Sequence, residues 1–159
     1  MKSKVIYLSF FLFITVRYAA FPQYQKNTNI AVIETDNLTG YRLYRECLDI
    51  LQHSGWNICH KNSKDLVFTT NSYFLKNSPI LVYYRLNIYD SLILLRGYVM
   101  DLNKILREED KRETDHWERS AFQPVWGSIR KMGFSNMILV TEKIRRSISG
   151  KVTWCTEDI

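Results

Sequence analysis

None of the short patterns that mark an active site occurs in this sequence of 159 residues. There is no Gly-x-Ser-x-Gly element, and no Cys-Gly pair of the kind found around thiol-protease nucleophiles. The three histidines, His53, His60 and His116, have no suitably spaced nucleophile nearby. Cys59 and His60 are neighbours on a predicted strand, so their side chains point to opposite faces and do not form a local pair. Cys47, His53, Cys59 and His60 lack the paired spacings of a zinc site. The acids Glu108, Glu109, Asp110, Glu113 and Asp115 alternate with Arg107, Lys111 and Arg112 and lack the order of a calcium loop; mutual neutralisation on a wet surface accounts for them. Internal repeats and low-complexity tracts are absent. Motif-borne chemistry is thereby excluded, and only a site assembled from distant segments would escape this reading. No catalytic residue, metal or cofactor is assigned.

The chain also lacks an apolar run of the roughly 20 residues that a membrane-spanning helix needs. It has a shorter one. Lys2 and Lys4 precede an apolar stretch from Val5 to Val16, followed by Arg17-Tyr18-Ala19-Ala20. This is the layout of a secretory signal peptide over residues 1–20, with cleavage expected after Ala20. An uncleaved signal anchor is the alternative, because Tyr18 stands where a small residue is usual. The formal net charge of +6 shrinks accordingly. Residues 1–20 hold three of the 22 basic residues and none of the 16 acidic ones, which leaves +3. So small an excess weakens a nucleic-acid reading. Export also brings the three cysteines, Cys47, Cys59 and Cys155, into an oxidising setting. Cys47 and Cys59 can pair if the first helix packs on the first strand; equally, all three are thiols, with Cys47 buried as a small hydrophobe.

Residues 21–28 read as a loose polar linker, and 29–159 as one domain, long enough to bury a core unaided. Asn29–Glu34 is a short strand. Tyr41, Tyr44, Cys47, Leu48 and Leu51 recur at helical spacing, predicting a helix over 39–53 that is capped by Asn37 or Thr39 and stopped by Gly55. Trp56 should fold back on its last turn. Strands follow at 56–60 and 66–71, around the turn-forming Lys61–Asp65. From Ile80 to Met100, two β-branched and aromatic runs flank Asp90-Ser91, which predicts a hairpin with Tyr89 opposite Leu92, Ile88 opposite Ile93 and Leu86 opposite Leu95. One face, with Val82, Tyr84 and Leu86 opposite Leu95, Gly97 and Val99, must be buried. Leu102–Asp115 reads as a charged excursion or frayed helix. A short or kinked helix is expected from Trp117, with Phe122, Val125, Trp126 and Ile129 inward, and a second over 135–147. Residues 151–154 close the chain as a strand or arm. The fold class is α+β: a two-layer sandwich of an antiparallel meander of four to five strands, with helices on one face.

Ala-Val-Ile-Glu-Thr-Asp at 31–36, Tyr41 to Trp56 ending in Ser-Gly-Trp-Asn-Ile, Leu-Val-Phe-Thr-Thr at 66–70, Leu86 to Gly97, and Gly-Lys-Val-Thr-Trp at 150–154 form one series. It resembles a group of small exported domains of unknown function from Gram-negative bacteria, similar to the helix-on-sheet domains of envelope lipoproteins. The resemblance covers about residues 29–154 and departs in the absence of a lipid-attachment cysteine. It implies a fold and a periplasmic or secreted address rather than an activity.

Two functional expectations follow. The outward face of the hairpin gathers Tyr83, Arg85, Tyr89, Arg96 and Tyr98, residue types that favour the centres of interfaces; it suits an envelope protein or polymer as partner or, equally, is a surface partly covered by the chain's own 102–130 segment. Arg96-Gly97-Tyr98 overlaps an RNA-binding sheet motif, but Val99 stands where that motif needs Gly or Ala and the element order is wrong. The alternative is a small-molecule carrier or enzyme with a pocket between the sheet and the 117–148 region, lined by Tyr84, Trp117 and Trp126. The binding module is preferred to the enzyme.

Overall fold

A computed structural model describes residues 24–105, 117–123 and 127–157. The predicted signal peptide, Trp126 and the acidic run at 108–115 lie outside the described residues. Eight strands form one antiparallel sheet: β1 Ile30–Glu34, β2 Ile58–Asn62, β3 Val67–Thr70, β4 Tyr73–Phe74, β5 Ile80–Tyr89, β6 Leu92–Asp101, β7 Glu118–Arg119 and β8 Lys151–Cys155. Two helices accompany them, α1 Gly40–His53 and α2 Ile129–Ser147, together with a helical turn at Leu102–Ile105. None of the described helices is long and apolar enough to cross a membrane.

The hairpin β5–β6 is the spine. Its register pairs Tyr89 with Leu92, Ile88 with Ile93 and Leu86 with Leu95 around Asp90-Ser91, as expected from the sequence. Asp90 takes a positive φ of 49°, which the tight reversal requires and Asp tolerates. The sheet has more strands than the expected four to five, and only part of it is a meander. Its order is β2-β3-β5-β6-β1-β8, with β4 continuing the β3 edge of β5 and β7 continuing the β1 edge of β6. The earliest strand thus lies between the hairpin and the last strand.

Alternation along β5 and β6 sends Val82, Tyr84, Leu86, Ile93, Leu95 and Val99 to one face, all without solvent exposure. They form a single core with Leu43, Cys47 and Leu51 of α1 and Phe134, Met137 and Ile144 of α2. Both helices therefore cover the same face, α1 over β5 and α2 over β6, β1 and β8, and they touch each other. Each fully buried aliphatic or aromatic side chain contributes about 1.5–3 kcal/mol, so this layer contact is the main stabilisation. Trp56 does fold back. Its N–H donates to the Leu51 carbonyl at 3.0 Å, and its ring meets Tyr73 and Tyr84 edge-on at 4.4 and 5.2 Å.

Three local expectations are corrected. No helix begins at Trp117: Glu118–Arg119 is strand, Ser120 N–H donates to the Gly97 carbonyl at 2.9 Å, and Phe122 N–H donates to the Thr28 carbonyl at 2.8 Å. Backbone groups engaged sideways in this way are not free to make helical bonds. Helix α2 instead begins at Ile129 and runs through Gly133. That glycine lets the helix approach the sheet, since a Cβ there would sit 2.3 Å from Ser120 Oγ and 3.1 Å from Val99 Cβ. The end of the expected loose linker, from Tyr24 to Thr28, is also held. Tyr24 packs on Phe122, Phe134 and Trp154 at 5.1–5.6 Å, and Thr28 is buried.

Candidate functional site

On the face of the sheet away from both helices, the paired strands β5 and β6 stack their side chains in rows. Tyr83 lies opposite Tyr98, Arg85 opposite Arg96, Asn87 opposite Leu94 and Tyr89 opposite Leu92. Tyr83, Arg85, Tyr89, Arg96 and Tyr98 thus share one face. Tyr89 is 55% exposed and Arg85 is exposed, while Tyr83, Arg96 and Tyr98 are half-buried. The first row is aromatic. Tyr83 and Tyr98 stack at 4.6 Å with ring planes 7° apart, and Trp117 meets Tyr83 edge-on at 4.6 Å. Burial, with a smaller contribution from the neighbouring Tyr98, pushes the Tyr83 phenol up to about 12.

Guanidinium groups form the second row. Like charges directly opposite on a ladder repel, and the structure supplies one carboxylate to relieve this. Arg96 grips Glu157 with two bonds, Nε to Oε2 at 2.9 Å and Nη2 to Oε1 at 3.0 Å. Arg119, brought in by β7, adds Nη1 to Oε2 at 2.7 Å. These bonds hold the Glu157 carboxyl below its usual range, chiefly through Arg96, and raise the Arg96 guanidinium. The Glu157 backbone is fixed separately. The Asn29 side-chain amide, almost fully buried, donates to the Glu157 carbonyl at 3.0 Å and accepts from its N–H at 2.9 Å, as a neighbouring strand would. Arg85 has no carboxylate partner among the described residues. The result is a depression of about 240 Å³ with Arg85, Arg96, Arg119 and Glu157 around it. Tyr89 and Tyr98 also line it, together with Asn87, whose Oδ1 is buried without a hydrogen-bond partner.

The pocket expected around Tyr84, Trp117 and Trp126 is not assembled by the described residues. Tyr84 is fully buried on the helix side, where its hydroxyl donates to Asn136 Oδ1 at 2.6 Å and lies 3.3 Å from that of Tyr73. Trp117 packs on Tyr83, whose side chain points to the other face. The sheet separates them. A cleft of about 660 Å³ lies elsewhere, along β8 beside Tyr24 and Thr28.

The cysteines are free thiols. Cys47 faces the core from α1, and desolvation pushes its thiol up to about 12, the signature of an inert buried cysteine. Cys59 is exposed on β2, with its Sγ 3.3 Å from the Thr70 carbonyl. His53 Nδ1 lies 2.7 Å from the Asp49 carbonyl at the exposed end of α1. No group of three His, Cys, Asp or Glu side chains among the described residues could hold a metal ion.

Arg119, Glu157 and Asn87 were not singled out from the sequence as members of this site. One signal was available: Arg85 and Arg96 fall opposite each other in the predicted register, which demands a nearby acid. Which acid supplies it depends on β8 lying beside β1, and that is a long-range pairing. No protein-family model matches the chain, and no curated protein is similar to it.

Proposed function

We propose that this protein is a non-catalytic exported module that captures an envelope protein or polymer on the open face of its sheet. The observation that carries the reading is the contrast between the two faces. One is sealed by both helices into a dense core. The other presents stacked tyrosines and a tryptophan beside a depression bordered by three arginines, with no described helix over it. Tyr and Arg dominate interface hot spots because each combines large contact area with directional hydrogen bonding. The carrier alternative draws less support, because Tyr84 is committed to the core by Trp56, Tyr73 and Asn136.

The test is partner capture from the protein's own envelope by wild type and two variants, with melting measured in parallel. Arg85→Glu should leave the fold at least as stable as wild type, since it replaces a like-charge pair with an opposite one. Tyr98→Ala should cost about 1 kcal/mol for the lost ring stack. Both should lower partner affinity at least about tenfold, equivalent to about 1.4 kcal/mol. Equal recovery by variants and wild type would count against the open face as the binding surface.

A further inference from the structure

We propose that the three-arginine depression is a carboxylate-binding site for an acidic peptide segment of a partner, and that Glu157 occupies it as a tethered competitor. This inference rests on the binding-module reading above and adds the chemistry of the partner and the regulation of the site.

Charge comes first. Three guanidiniums surround one carboxylate, and that carboxylate is taken up by Arg96 and Arg119. Arg85, directly across the ladder from Arg96, is left with its charge uncompensated among the described residues. A sheet built only for stability would place an acid or a neutral residue there. Two further features point beyond simple neutralisation. Asn87, nine-tenths buried in the depression, has an Oδ1 without a donor, and a peptide brings N–H donors along with its carboxylates. Glu157 itself is held through both of its backbone groups by the Asn29 side chain. The site therefore already receives a carboxylate carried on a peptide backbone.

Glu157 is also placed to be exchanged. Its side chain is 40% exposed, whereas Arg96 beneath it is 15% exposed, so the cationic side of the pair is built into the sheet and the anionic side lies at the surface. Ion pairs at the surface are weak and screened by salt. A tethered carboxylate nonetheless competes at a millimolar effective concentration and lowers the apparent affinity for any external acid. The backbone clasp through Asn29 does not depend on the carboxylate, so Glu157→Gln removes the competitor while keeping the segment in place.

The experiment measures binding of a fluorescein-labelled oligo-glutamate peptide by anisotropy to wild type, Glu157→Gln, Arg85→Gln and the Arg85→Gln/Glu157→Gln double variant. Melting and amide spectra verify that each is folded. Glu157→Gln should bind about tenfold more tightly than wild type, with affinity falling as sodium chloride is raised. Adding Arg85→Gln should reverse that gain, and Arg85→Gln alone should weaken the wild type. Equal binding by wild type and Glu157→Gln, or none by either, would overturn the proposal. So would binding of polygalacturonate in place of the peptide, which would make the ligand an acidic polysaccharide. If oligo-glutamate fails to bind while Arg85→Glu still loses its envelope partner, this inference falls and the binding-module reading stands. If Arg85→Glu and Tyr98→Ala both retain their partner in full, the broader reading fails, whatever the peptide does.

Discussion

Replacing Gly133 with alanine tests the closest approach between helix α2 and the sheet. In an exposed helix interior this change gains about 1 kcal/mol, because glycine has more backbone freedom to lose. Here the new methyl would lie 2.3 Å from Ser120 Oγ and 3.1 Å from both Ser120 Cβ and Val99 Cβ. Rotating the serine hydroxyl relieves the first contact but neither of the others. Ser120 is itself fixed, fully buried and with its N–H bonded to the Gly97 carbonyl at 2.9 Å. The helix must then move outward by a few tenths of an ångström. Overpacking of this kind costs about 1–3 kcal/mol, so the net expectation for Gly133→Ala is a loss of about 1 kcal/mol, or about 2–4 °C in Tm. Ser120→Ala supplies the control. The Ser120 hydroxyl is buried without a partner, so its removal should be neutral or stabilising by up to about 1 kcal/mol. Combining the two removes the 2.3 Å contact, and the double variant should recover more than the sum of the single effects, with a coupling of at least about 0.5 kcal/mol. Urea denaturation of the four proteins reads this cycle directly. A Gly133→Ala protein stabilised by the full helical increment, or a strictly additive cycle, would refute the tight contact.

Gly97→Val probes the same junction from the sheet side. A Cβ at Gly97 would meet Ser120 Oγ at 3.0 Å and Met137 Sδ at 3.1 Å, and valine adds two further methyls, so a loss of about 2–3 kcal/mol is expected and unchanged melting would contradict it. Alkaline pH offers a second probe. Tyr73 and Tyr83 are each pushed up to about 12 by burial, above the unfolded value near 10, so the fold favours their neutral forms. Their contribution is complete below pH 10 and is lost as pH rises toward 12. Tyrosinate absorbance should show phenols resisting ionisation until the protein unfolds; titration of every phenol near 10 with the fold intact would contradict this.

Where the side-chain period is strong, sequence and structure agree closely. The ten-residue strands β5 and β6 alternate over most of their length around a two-residue turn, so their register could be read from the chain. Helix α1 is nearly as clear: Tyr44, Cys47, Leu48 and Leu51 lie on the expected buried stripe, but Tyr41 is 56% exposed and Leu43 faces the core in its stead. Strands β4 and β7 have two residues each, too few for any period, and exist because neighbouring strands offer them backbone partners. The start of α2 was misplaced because Gly133 reads as a break, whereas its role is to admit Ser120. The tyrosines and arginines of the open face were legible from alternation alone. Their acid was not, because Glu157 reaches Arg96 only through the pairing of β8 with β1, to which local sequence carries no clue.

That pairing has a consequence for how the molecule comes into being. Residues 30–34 sit between β6 and residues 151–155, so one complete edge of the first strand waits for a segment near the other end of the chain. During synthesis, β1 can zip onto the hairpin and α1 can settle over it. A seam nonetheless stays open until residues 151–155 emerge. Such late long-range closure slows folding and, in the interval, leaves a sticky hydrogen-bonding margin to be guarded from other chains.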